Sequence, residues 1–350
     1  MATLRTAAQF IEHGLIPPER RGDLEAVAAK YAVSLPVALA GLINRNDPND
    51  PIARQFIPTA AELDVRSEEL VDPIGDDAHS PVEGIVHRYP DRVLLKLTPV
   101  CAVYCRFCFR REMIGPEKAK PLSPAILAGA YDYIRAHKEI WEVILTGGDP
   151  LVLSVRRLRE VMRILGAIDH VRVVRIHTRV PVADPERVTT RLVQAMKIKG
   201  KPTYVAIHVN HVRELTAGAR GAISRLADAG IPLLSQTVLL AGVNDSPEAM
   251  GELMRALVEC RVKPYYLHHG DLAPGTSHLR TDLEAGQRLM RGIRGRFSGL
   301  CQPTYVLDIP GGYGKSPVGP NYIERSGHHG AQITVEDFKG EHHPYPPQPL

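Results

Sequence analysis

The chain has 350 residues, 44% hydrophobic and 23% charged, the balance of a soluble globular enzyme with room for one large core. Its formal net charge of +4 is too small to drive nucleic-acid binding without a concentrated basic patch. The longest apolar runs, such as AVSLPVALAGLI (32–43), are short and interrupted, so no membrane span is expected.

The N-terminus, MATLRTAAQF, lacks the apolar region of a secretory signal, and five cysteines are too few, and odd in number, for a disulfide framework. Both features point to the cytoplasm. Residues 1–85 carry helical patterns at 23–31 and 35–42, separated by NDPND, IPTAAE and DPIGDD, and are expected to form a helical extension. From Arg92 onward the texture changes. Short apolar runs at 92–98, 142–148, 171–178, 203–209, 233–240, 262–269 and 303–309 alternate with amphipathic segments such as 154–165 and 221–230. Near-continuous apolar strands alternating with helices imply an α/β architecture with a parallel sheet covered by helices. Six or seven such units predict a partial or full (β/α) barrel over 86–320. The tail, 321–350, is rich in His, Gly and Pro; a short β-like segment is expected at 331–336, then a poorly ordered end.

In such a barrel, chemistry gathers where the strands end at their C-termini. The first strand delivers CAVYCRFCFRRE to that place. Cys101, Cys105 and Cys108 stand in C-x3-C-x2-C spacing, and three thiolates can hold three irons of a [4Fe–4S] cluster while leaving the fourth free for a small molecule. A zinc site would need a second ligand pair, which Cys260, Cys301, His268, His269 and His278 do not supply at the usual spacing. Cys260 and Cys301 read as inert buried thiols. Arg106, Arg110 and Arg111 are candidate ligands for anionic groups, with solvated surface arginines as the alternative. After the next strand, TGGDP brings Gly147 and Gly148, whose backbone can approach a ligand closely, and Asp149, which can accept from an ammonium. A plain strand-to-helix turn would use the same residues. His208, Asn210, Gln236, Asp271 and Asp308 recur at later strand ends. DIPGGYGKSP (308–317) is not a phosphate-binding P-loop, because Ile309 stands where that motif needs glycine. A glycine-rich loop presenting Lys315 suits a Schiff base with an aldehyde cofactor, or else a flexible loop with a solvated lysine.

Together these residues resemble the radical S-adenosylmethionine superfamily and, within it, the lysine 2,3-aminomutases. The superfamily mark is the cysteine triplet; CRFCFRRE, GGDPL, HVNH, PYYLHHGDLAPGTSHLRT and DIPGGYGKSPVGPNY are similar to the aminomutases in particular, as are DPIARQFIP and SPVEGIVHRYPDRVL upstream. The likeness runs from about residue 47 to 323. It implies an isomerase that moves the amino group of L-lysine from C2 to C3 to give L-β-lysine. The implied cofactors are a [4Fe–4S] cluster on Cys101, Cys105 and Cys108, S-adenosylmethionine beside Gly147, Gly148 and Asp149, and pyridoxal 5'-phosphate on Lys315, the catalytic lysine. The resemblance further implies Arg110 for the substrate carboxylate and Asp271 with Asp308 for the ε-ammonium. Arg111, His208 and Gln236 would contact the cofactors. The alternative is an aminomutase acting on a lysine linked to elongation factor P, or on another amino acid. An external electron donor such as flavodoxin or ferredoxin is implied. Better-known members of the family carry a C-terminal cysteine cluster that binds zinc between subunits. This chain has no such cysteines, and Ser246 stands at a further zinc-ligand position, so no zinc is expected. Any homo-oligomer would then form by another route, such as the N-terminal helices.

Overall fold

The computed structural model describes residues 2–115, 122–326 and 332–347, so Ala331 and the last three residues of the tail lie outside the described residues. The N-terminal segment forms short helices, with one strand pair that the sequence pattern did not predict. Thr3–Leu4 (β1) pairs antiparallel with Leu35–Pro36 (β2), and around them lie α1 (Ala7–Glu12), α2 (Arg21–Lys30), α3 (Val37–Ala40) and α4 (Pro51–Phe56). The helix expected at 35–42 is cut to four residues because Pro36 disfavours helical backbone at Leu35 and offers no N–H of its own. Phe10, Leu24, Leu35, Ile52 and Phe56 make a small core that also takes in Val103 and Ala183. The extension is therefore packed onto the cysteine loop.

From Ile85 the chain alternates strand and helix. A hairpin of β3 (Ile85–Tyr89) and β4 (Arg92–Thr98) opens the main sheet. There follow α5 (Pro124–Ala136), β5 (Glu142–Gly147), α6 (Val155–Gly166), β6 (Val173–Thr178), α7 (Val180–Ala183), α8 (Thr190–Ala195) and β7 (Thr203–His208). The series continues with α9 (Ala217–Asp228), β8 (Leu233–Val238), α10 (Pro247–Glu259), β9 (Val262–His268), α11 (Leu283–Ile293) and β10 (Thr304–Ile309). β11 (Gly314–Pro317) then turns back antiparallel on β10. The nine strands run in order β11-β10-β9-β8-β7-β6-β5-β4-β3, with β4 to β10 parallel. The covering helices begin at short polar side chains: Ser123, Ser154, Thr189, Thr216, Ser246 and Asp282 each accept from the N–H three residues on.

Alternation along each strand divides the barrel into two environments. Val93, Leu95, Leu97, Val143, Leu145, Val174, Ile176, Val205 and Ile207 belong to the core shared with the helices. Burial of such side chains contributes roughly 1.5–3 kcal/mol each. The alternate positions, among them Glu142, Ile144, Thr146, Arg175, His177 and Gln236, line the lumen.

The edges β3 and β11 are not paired as strands, yet side chains and turns close the gap. The N–H of Lys315 donates to the Tyr89 hydroxyl at 2.7 Å, and His79 Nε2 bonds the Gly312 carbonyl at 2.9 Å. Gly75 and Gly312 touch backbone to backbone: a Cβ on Gly75, whose φ is +68°, would lie 2.4 Å from the Gly312 nitrogen. The sheet is thus a nearly closed barrel. Downstream, β12 (Ile323–Ser326), β13 (Gln332–Glu336) and β14 (His342–Pro344) form a separate exposed antiparallel sheet, where one β-like segment was expected. No helix among the described residues is long and apolar enough to cross a membrane.

Candidate active site

The lumen encloses a cavity of about 770 Å3, within the range of small-molecule and cofactor sites. The loop after β4 brings Cys101, Cys105 and Cys108 to its wall, with the Cys108 N–H donating to the Cys105 carbonyl. Burial pushes all three thiols up, Cys108 to about 11; at Cys105 the Arg179 guanidinium works against it. A metal bound by these thiols would have to displace their protons. Three thiols on one cavity wall suit a cluster in which each thiolate takes a different iron.

The glycines after β5 hold this loop in place. A Cβ on Gly148 would lie 2.3 Å from the Val100 carbonyl oxygen, and Gly147 has φ +115°. The Asp149 N–H donates to that same carbonyl at 2.9 Å. Both Asp149 oxygens are engaged by protein donors: Oδ1 accepts from the Leu151 N–H and the Thr178 hydroxyl, and Oδ2 from the N–H groups of Arg179 and Val180. Asp149 thus ties the end of β6 to the cysteine loop.

The same cavity holds groups that suit an amino acid. Arg110 lines the cavity, its Nε and Nη2 fixed on Asp76 at 3.1 and 2.8 Å and its Nη1 3.5 Å from the Thr146 hydroxyl. Against the opposing effect of burial, Arg110 and Arg88 hold Asp76 below the usual carboxylate range. Lys315 Nζ lies 2.6 Å from Asp308 Oδ1. Burial raises the Asp308 pKa, but His268 and Lys315 outweigh it and keep the group ionised. Asp271 lines the same end, and among the described residues none donates to its carboxylate. Burial, then the charge on Asp308, push Asp271 up to about 8. On neighbouring strands His208, bonded by Gln236, is pushed down to about 3 by burial, and burial also depresses His177 and His268. These imidazoles are neutral, and among the described residues the buried Nε2 of His177 has no hydrogen-bond partner.

One cavity therefore gathers Cys101, Cys105, Cys108, Arg110, Gly147, Gly148, Asp149, His208, Gln236, Asp271, Asp308 and Lys315. It does not gather Arg111 or Arg106. Both are bound to the buried Glu62 of the N-terminal extension, and Arg111 also packs on the Tyr31 ring. Asn210 is likewise buried in a side-chain network away from the lumen wall. Several lining residues escaped the sequence reading. His177 and Arg179 sit at a strand end like the residues it did select. Arg88, Arg92 and Arg175 lie on strands at the lumen face, where a basic residue in an apolar run was the available signal. Asp76 was visible only as part of a turn-like DPIGDD.

Comparison with known proteins places these features in a family. A model described as the radical SAM superfamily matches residues 95–254, and one described as lysine-2,3-aminomutase matches residues 290–348. An L-lysine 2,3-aminomutase of Clostridium subterminale is 43% identical over 93% of this chain and 77% of its own length. One from Methanococcus maripaludis is 42% identical over 92% of this chain and 74% of its own. A glutamate 2,3-aminomutase of Clostridioides difficile is 38% identical over 87% of this chain and 71% of its own.

Proposed function

Because the chain belongs to the lysine 2,3-aminomutase family of radical S-adenosylmethionine enzymes, we propose that it interconverts L-lysine and L-β-lysine. The observation that carries the choice of substrate is the pair of buried carboxylates at the Lys315 end of the cavity. Asp308 already binds one primary amine, that of Lys315, at 2.6 Å, and Asp271 stands beside it without a protein donor. Two carboxylates favour a side-chain ammonium and repel the carboxylate of glutamate.

Cys101, Cys105 and Cys108 would hold the cluster, Gly147, Gly148 and Asp149 would flank S-adenosylmethionine, and Lys315 would carry pyridoxal phosphate. Together these groups supply an electron, a hydrogen-abstracting carbon radical and an aldehyde that carries the migrating amine. The chain's own residues orient and shield. Arg110, fixed by Asp76, presents its guanidinium to the substrate carboxylate in a geometry suited to bidentate bonding. Asp271 and Asp308 anchor the far end of the substrate, which fixes the β-carbon between two charged contacts. Arg88, Arg92 and Arg175, paired with Asp76, Asp91 and Glu142, bring to the lumen guanidinium groups of the kind a phosphate takes. The neutral His177, His208 and His268 offer hydrogen bonds there without adding further charge. Closure between β3 and β11 keeps water from the lumen along that side. An external one-electron donor such as flavodoxin or ferredoxin would reduce the cluster, in the reducing cytoplasm that free thiols suit.

The test is turnover by anaerobically reconstituted protein supplied with S-adenosylmethionine, pyridoxal phosphate, dithionite and L-lysine. β-Lysine is the expected product. Turnover of L-glutamate, or of lysine only when attached to elongation factor P, would overturn the assignment.

A further inference from the structure

Arg179 stands just after β6, is only 6% exposed, and has no part in the reaction as described above. Its Nη1 lies 3.5 Å from the Cys105 sulfur and donates to it. Its Nη2 donates to Gln55 Oε1 at 2.8 Å and to Glu214 Oε2. Glu214 is fully buried, and its Oε1 accepts from Gln55 Nε2 at 3.2 Å and from the N–H groups of Asn210 and His211 at 3.0 and 2.9 Å. Asn210 Nδ2 closes the circuit on Gln55 at 3.1 Å. The rings of Phe56 and Phe107 flank the guanidinium. Gln55 belongs to α4 of the N-terminal extension, and its carbonyl accepts from the Arg106 N–H, one residue beyond Cys105. Three side chains, Gln55, Asn210 and Glu214, from two distant parts of the chain thus fix one cation on the Cys105 sulfur.

We propose that Arg179 sets the charge at the cluster: held by Glu214 and Gln55, it raises the reduction potential of the iron–sulfur centre through the Cys105 sulfur. The inference rests on the family reading, which puts a cluster on Cys105, and is independent of which amino acid is the substrate. Reduction adds a negative charge to the cluster, and a buried cation beside a ligand sulfur stabilises that state. Hydrogen bonds to the sulfurs are among the levers by which a protein tunes such a centre. Glu214 partly offsets the cation, so neutralising each partner acts in the opposite sense. A guanidinium present only for packing would show no such opposition.

The experiment is a redox titration of reconstituted protein, followed by electron paramagnetic resonance without substrate, with iron and sulfide content measured for each variant. Arg179→Gln is expected to disfavour reduction about tenfold, a fall of about 59 mV for a one-electron couple. Glu214→Gln is expected to shift the potential upward by a similar factor, and Arg179→Lys to leave it near the wild-type value. If Arg179→Gln fails to retain its cluster, the upward shift in Glu214→Gln still decides the matter. Unchanged potentials, or a shift of both glutamine variants in the same direction, overturn the proposal. Absence of lysine turnover alongside the opposed shifts would instead count against the substrate assignment.

Discussion

Replacing Asp308 by asparagine keeps the shape of the proposed ammonium site and removes one of its two carboxylates. Asp308 is 6% exposed and makes a 2.6 Å contact with an amine, so the weak, screened values of surface ion pairs do not apply. Breaking a buried, hydrogen-bonded charge pair costs about 2–5 kcal/mol. Asn can still accept one hydrogen bond, which places the loss in the lower part of that range. At a factor of ten per 1.4 kcal/mol, kcat/KM for L-lysine should fall roughly 30- to 300-fold. The assay compares L-lysine with L-norleucine, which has the same carbon chain and no ε-ammonium, on protein whose bound cofactor is quantified by absorbance. The lysine preference should shrink by the same factor. A loss under about threefold for lysine, or an equal loss for both amino acids, would refute the reasoning.

Three further outcomes are expected. Because burial and Asp308 raise Asp271 to about 8, this carboxyl gives up its proton only as pH climbs through that value. The substrate ammonium, with a reference value near 10.4, stays charged throughout. Affinity for lysine should therefore increase between about pH 6.5 and 8.5, and Asp271→Asn should flatten the pH profile of KM. Lys315→Ala should abolish the absorbance of protein-bound pyridoxal phosphate after gel filtration and cut turnover by about two orders of magnitude or more; retained absorbance and turnover would refute its role. Gly148→Ala would drive a Cβ to 2.3 Å from the Val100 oxygen, at a cost of about 1–3 kcal/mol, so iron content after reconstitution should fall below wild type.

The barrel was legible because seven buried parallel strands each write a compact apolar run, and their observed limits differ from the expected ones by only one or two residues. The edge strands β3 and β11 were not. GKSP read as part of a glycine-rich loop and IVHRY was not among the apolar runs, because antiparallel edges bury less apolar surface and carry turn-forming neighbours. Within the site, a rule of position, polar residues at strand ends, found Asp149, His208, Gln236, Asp271 and Asp308. It gave no means of separating Arg110 from Arg111, one residue apart. Only the fold reveals that Glu62, about fifty positions upstream, draws Arg111 out of the lumen while Asp76 holds Arg110 in it. Long-range ion pairs of this kind leave no periodic trace in a sequence.

Lys315 occupies the strand that shuts the barrel, and its backbone N–H makes the link to Tyr89 across the gap. With Lys315 as the proposed anchor, attachment of the cofactor and integrity of the wall would depend on a single short segment. Damage at this join, for instance a methyl group added at Gly75, should disturb the optical spectrum of the bound aldehyde before global unfolding is detectable. The chromophore would then serve as a built-in reporter of whether the container is sealed.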